Sequence, residues 1–141
     1  MNRNIAILLG FMILFAACNN NYGKKVNIND NIDVYIKGDK VTESDARKLG
    51  DFVATTYKEH TNKKSFQITK DSGQYVIRMV IDEEKVKKDS SINVSFMALQ
   101  YLFELQVFPG NKVKLILTND QFKDVKIFPS NSSESAGSPA K

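Results

Sequence analysis

His60 is the only histidine and Cys18 the only cysteine among 141 residues. A Cys–His nucleophile pair or a His/Cys metal centre needs such groups in multiples or side by side. His60 falls among Lys58, Lys63 and Lys64, at the end of an expected helix, where the helix dipole favours an exposed imidazole. A Ser–His–acid triad would need that ring buried and oriented by a carboxylate. No G-x-S-x-G, P-loop or G-x-G-x-x-G spacing occurs, so nucleophile-elbow and phosphate-cradling chemistry has no support.

Oxygen ligands are denser. Asn27 to Asp33 places Asn27, Asn29, Asp30, Asn31 and Asp33 close together, as a calcium loop would. The segment lacks the central glycine and closing glutamate of an EF-hand, and an Asx-rich turn into a strand explains it as well. Asp82, Glu83 and Glu84 stand together among lysines, which is the composition of a solvated loop. A glycosidase needs two carboxylates facing across a cleft, and nothing here aligns such a pair. We expect no catalytic residue, no metal and no cofactor.

Cys18 has a different context. Arg3 precedes an uncharged apolar run from Ile5 to Ala17, which ends in small residues before the cysteine. That is the layout of a secretory signal, and the run is too short for the ~20 residues a membrane-spanning helix needs. Phe15-Ala16-Ala17-Cys18 resembles the lipobox of bacterial lipoproteins, with Phe15 where an aliphatic residue is usual. The resemblance covers the chain start alone. It implies cleavage before Cys18, acylation of its sulfur and a membrane anchor, with the thiol consumed. Two or three acyl chains hold firmly where one does not, at about 0.8 kcal/mol per buried CH₂. Asn19 is not the aspartate that, by resemblance, would retain such a protein at the inner membrane. The expected location is therefore the cell envelope, lipid-anchored on the outer membrane and facing the periplasm.

Composition fits one modest domain. Hydrophobic residues make up 42% and aromatics 10%, too much apolar material for a disordered chain. Removal of residues 1–17 would take one charge from the 20 basic side chains and leave the 16 acidic ones untouched. The remaining basic excess is small, and Lys85, Lys87 and Lys88 are flanked by acids. No basic patch with interleaved aromatics emerges, so no nucleic-acid partner is expected.

The expected organisation is a signal peptide over 1–17, a lipidated cysteine and tether over 18–25, an α+β domain over 26–129 and a disordered tail over 130–141. Alternation from Asn31 to Lys37 predicts a strand. Thr42-Glu43-Ser44-Asp45 has capping-box form and opens a helix that ends near His60. Asp71-Ser72-Gly73 predicts a hairpin turn, and Asp82 to Asp89 reads as a charged loop. A second helix runs over 91–108, stopped by Pro109-Gly110. A last hairpin pairs 112–117 with 122–128. The order β-α-β-β-α-β-β points to a two-layer sandwich of ferredoxin-like character. Its antiparallel sheet would have about five strands, with two helices on one face.

The second helix is the unusual element. Ile92, Phe96, Leu99, Phe103 and Val107 form one apolar stripe. Val94, Met97, Ala98, Tyr101, Leu105 and Phe108 form another, with Asn93, Gln100 and Glu104 between them. A helix lying on a sheet needs one stripe. The second packs on the first helix and the N-terminal segment or else meets a protein partner or a second copy through Tyr101, Leu105 and Phe108. The reading is a lipid-anchored, non-catalytic binding or assembly module. An envelope inhibitor or immunity protein using Asp82 to Asp89 is the alternative, and a carboxylate-dependent hydrolase the remaining one.

Overall fold

Alternating apolar and polar residues from Lys24 to Ile36 form two strands, β1 (Lys24–Asn29) and β2 (Ile32–Ile36). The chain continues through α1 (Glu43–Thr56), β3 (Lys64–Asp71), β4 (Gln74–Val80) and the short α2 (Glu83–Lys88). Then come α3 (Ile92–Leu102), a π-helical turn (Phe103–Val107), β5 (Val113–Thr118) and β6 (Asp124–Phe128). The computed structural model describes residues 21–58, 62–89 and 91–128. The expected signal peptide, Cys18, His60 and the 130–141 tail lie outside the described residues. Among the described residues no helix is long and apolar enough to cross a membrane.

The protein is α+β, and its six strands stand in the sheet in chain order. The hairpin pairs β1–β2, β3–β4 and β5–β6 are antiparallel, whereas β2–β3 and β4–β5 are parallel. The expectation of about five antiparallel strands with ferredoxin-like character is thereby corrected to six strands in a mixed sheet. A helix between neighbouring strands returns the chain to its starting end, so the two run parallel. A split β-α-β unit would insert another strand between them; here Val34 lies directly opposite Phe66, and Arg78 opposite Ile116.

The register fixes the two faces. Val34, Phe66, Met79 and Leu117 follow one another across the sheet on one face. They meet Ala46, Leu49 and Val53 of α1, Leu99 of α3 and Phe103 and Val107 of the π-turn in a single core. Phe52 and Phe103 join the helices edge to face at 5.7 Å. The capping box of α1 forms as expected: Thr42 Oγ1 accepts the Asp45 N–H at 3.2 Å, and the Asp45 carboxylate accepts the Thr42 N–H at 3.0 Å. Gly50 lets α1 close on β1, since a Cβ there would stand 2.3 Å from Ile28 Cγ1.

Two further segments differ from expectation. Asp82 to Asp89 is no loop: the Asp82 carboxylate accepts the Glu84 and Lys85 N–H groups and caps α2. Acids in its first turn and lysines in its last suit the helix dipole. The strand β1 also takes in Lys24 and Lys25, which the sequence placed in the tether.

Candidate functional site

Three rows of side chains run along α3 and the π-turn that continues it, and each has its own surroundings. Leu99, Phe103 and Val107 are buried in the core. A polar row turns toward the sheet edge. Asn93 Oδ1 accepts from Lys126 Nζ at 2.5 Å, Gln100 Oε1 accepts the Leu115 N–H at 2.8 Å, and Glu104 Oε1 accepts the Val113 N–H at 3.0 Å. The Lys112 and Thr118 carbonyls of this segment turn toward β4. Alternation therefore aims Val113 and Leu115 at the other side, where β6 reaches only to Phe128 opposite Leu115. Helix side chains thus take backbone donors that an edge strand would otherwise leave open.

The third row faces solvent. Val94 is 71% exposed, Met97 54%, Tyr101 51% and Leu105 53%, with Ala98 exposed between them. Of the two readings of this stripe, burial against α1 therefore does not hold for Tyr101 and Leu105. Phe108 is a correction: it is only 3% exposed and stacks on Tyr75 with ring centroids 4.0 Å apart. In a regular helix it would follow Tyr101 and Leu105 along the outer row. The π-turn, closed by the Phe108 N–H on the Phe103 carbonyl at 2.9 Å, adds a residue to the last turn. That rotates Phe108 inward beside Val107.

Asp33 stands apart from these rows, on the helix-free face. It is 1% exposed, with Oδ2 held 2.9 Å from Lys25 Nζ and 2.8 Å from Lys63 Nζ. Burial pushes its carboxyl up, but the Lys63 and Lys25 ammonium groups outweigh burial and hold it below the ordinary value. Asn29 Oδ1 is likewise occupied, accepting the Asn31 N–H at 2.9 Å. The oxygen-rich Asn27 to Asp33 segment thus serves a β-turn and an ion pair. Among the described residues no group of three or more His, Cys, Asp or Glu side chains could hold a metal ion.

One arrangement escaped the sequence reading. The Gln67 side chain, 2% exposed on β3, donates from Nε2 to the Asn21 and Tyr22 carbonyls at 3.2 and 3.0 Å. The Tyr22 ring meets Tyr35 at 5.9 Å and Phe122 at 5.7 Å, and Tyr35 meets Phe122 at 5.6 Å. Phe122, expected to open the last strand, instead sits before it with φ 56° and folds onto this cluster. An aromatic and a glycine at Tyr22-Gly23, inside an otherwise polar tether, were the available signal.

Residues 25–128 match the model of the AF_1994_N family N-terminal domain. The chain belongs to that family. No curated protein and no solved structure matches it. The AF_1994_N span begins at the second residue of β1 and closes with the last residue of β6. It therefore contains all of the sheet but Lys24, together with the Asp33 ion pair and the three rows of α3 and its π-turn. Tyr22 and Gly23 precede the span. Asn21 and Tyr22, just before the span, therefore meet the AF_1994_N domain through Gln67, Tyr35 and Phe122.

Proposed function

We propose that this protein is a lipid-anchored, non-catalytic binding or assembly module of the bacterial cell envelope. Acyl chains on Cys18 hold it in the outer membrane, on the periplasmic side, and the outer row of α3 receives a protein partner or a second copy. The single observation that carries the reading is the solvent-facing Val94, Met97, Tyr101 and Leu105 on a helix whose core row is buried and whose polar row is bonded to the sheet. A contiguous apolar row on a small domain marks a contact surface. Its rigid backing suits recognition, because the core stripe and the polar row leave the helix no freedom to turn.

Two measurements test the proposal. Labelled palmitate should enter the wild-type chain and not Cys18→Ala, which should leave the membrane fraction with the domain still folded. Label retained by Cys18→Ala would end the lipid-anchor assignment. A photo-crosslinking residue in place of Tyr101 should give a discrete adduct in intact cells, and one in place of Lys40 should not. No adduct at position 101 would end the contact-surface reading.

A further inference from the structure

The chain reaches β1 across the middle of the helix-free face. Asn21 and Tyr22 hang from Gln67 on β3, an interior strand, and the Tyr22 ring is clasped by Tyr35 and Phe122. Gly23 then turns with φ 88°, and a Cβ there would fall 2.1 Å from the Ile36 carbonyl oxygen. This crossing is built in, since no other residue fits the turn. Only Asn19 and Asn20 separate Cys18 from Asn21, and three residues span at most about 11 Å when fully extended.

From this geometry we propose that the helix-free face of the sheet is a membrane-docking surface, held flat against an anionic phospholipid bilayer. The inference rests on the lipid-anchor reading of Cys18 and adds to it an orientation. A tether this short, leaving the centre of one face, cannot let the opposite layer meet the bilayer. Charge agrees. Strand alternation puts Lys25, Arg78 and Lys114 on this face, and Lys37, Lys63 and Lys123 lie at its margins. Asp33 is clamped by Lys25 and Lys63, and Asp124 is bound to Arg78 at 2.9 Å. These pairs leave little net charge, so Lys37, Lys114 and Lys123 carry most of the positive charge. Lys37 and Lys123 line one shallow groove beside Asn21, which also holds the Arg78–Asp124 pair. It is these two lysines that phosphate oxygens of headgroups would meet there. Tyr22 and Ile127, both exposed, add an aromatic and an aliphatic group suited to the interface between headgroups and acyl chains. The outer row of α3 belongs to the other layer and is left facing away from the bilayer.

The test uses the full chain purified from membranes and reconstituted in vesicles of phosphatidylcholine with a minor share of phosphatidylglycerol. Intact mass is read first: a chain without a diacylglyceryl group on Cys18 ends the lipid-anchor reading and this proposal with it. On acylated protein, a fluorophore is placed at Ile127→Cys or at Leu105→Cys and quenched by headgroup-labelled lipid. Quenching should be severalfold stronger at 127 than at 105. It should fall at 127 when phosphatidylglycerol is omitted, and also in Lys37→Glu/Lys123→Glu, whose fold is checked by circular dichroism. Equal quenching at the two sites, or stronger quenching at 105, in a chain that does carry the lipid overturns the orientation and leaves the anchor standing. Quenching at 127 that ignores lipid charge and both lysines would overturn the electrostatic contact.

Discussion

Gln100 Oε1 accepts the Leu115 N–H at 2.8 Å, with the glutamine 2% exposed. Together with Asn93 and Glu104 it ties α3 to the edge of the sheet along one row. That bond decides which way the helix faces: with Gln100 on β5 and Leu99 and Phe103 in the core, Tyr101 and Leu105 can only point outward. Gln100→Leu keeps the size roughly constant and leaves a buried backbone donor without its acceptor. The expected loss is about 1–3 kcal/mol, read from denaturant melts. Glu104→Gln, which keeps an acceptor for Val113, should change stability much less. Equal losses in both variants would show that the row does not act through its acceptors.

Gly50 tests how closely α1 must approach β1. An alanine inside a helix is ordinarily better than glycine by about 1 kcal/mol. Here its methyl carbon would stand 2.3 and 2.5 Å from Ile28 Cγ1 and Cδ1, well inside van der Waals contact. The clash should reverse the sign, so that Gly50→Ala destabilises by about 1–3 kcal/mol, the usual range for overpacking. Ile28→Ala in the same chain should remove the clash and restore the alanine's helical advantage. A double-mutant cycle measures this coupling. Additive losses would show that Ile28 is not the obstacle.

The Asp33 ion pair makes a pH prediction. The folded-state carboxyl lies below its ordinary value because Lys63 and Lys25 outweigh burial. A depressed pKa means that the unfolded chain takes up the proton first as pH falls. The stabilisation is therefore complete above the unfolded value, near 3.8, and is lost as pH drops through the lower folded value. Asp33→Asn should be less stable than wild type at neutral pH, and the gap should narrow in the acid range. Chemical denaturation across pH checks this, and a gap that stays constant or widens in acid would refute it.

What the sequence made legible was local. The capping box Thr42–Asp45 formed as read, because its two bonds join residues three apart. The Ser72-Gly73 turn also formed, with both residues at positive φ and Asp71 opposite Gln74. The parallel pairs were not legible, since a helix connection alone does not say whether another strand will slip between the two it links. The cap on α2 is hidden in the sequence because six residues give too little periodicity to outweigh a charged composition. Regular helical spacing points Phe108 outward, and one π-turn, invisible in residue types, rotates it inward. The Tyr22 cluster depends on Gln67 and Phe122, far along the chain, and no local pattern reports such a contact.

Leu105 offers the sharpest separation of fold from function. It is 53% exposed, two turns from Met97 and one from Tyr101 in the outer row. Had the stripe been core, a lysine there would bury an unpaired charge and cost several kcal/mol. In this structure the ammonium group reaches solvent, so Leu105→Lys should shift stability by no more than about 0.5 kcal/mol. The apolar contact is nevertheless broken, and a charge at the centre of an interface demands a partner that the other surface does not supply. Partner capture or self-association should therefore fall sharply in a variant that melts like wild type, measured by crosslinking yield in cells and by sedimentation of purified protein. Phe108→Ala should do the reverse, costing about 3–5 kcal/mol through loss of its buried stacked ring with no selective effect on the contact. If Leu105→Lys is as destabilised as Phe108→Ala, the outer row is holding the fold together and is not a contact surface.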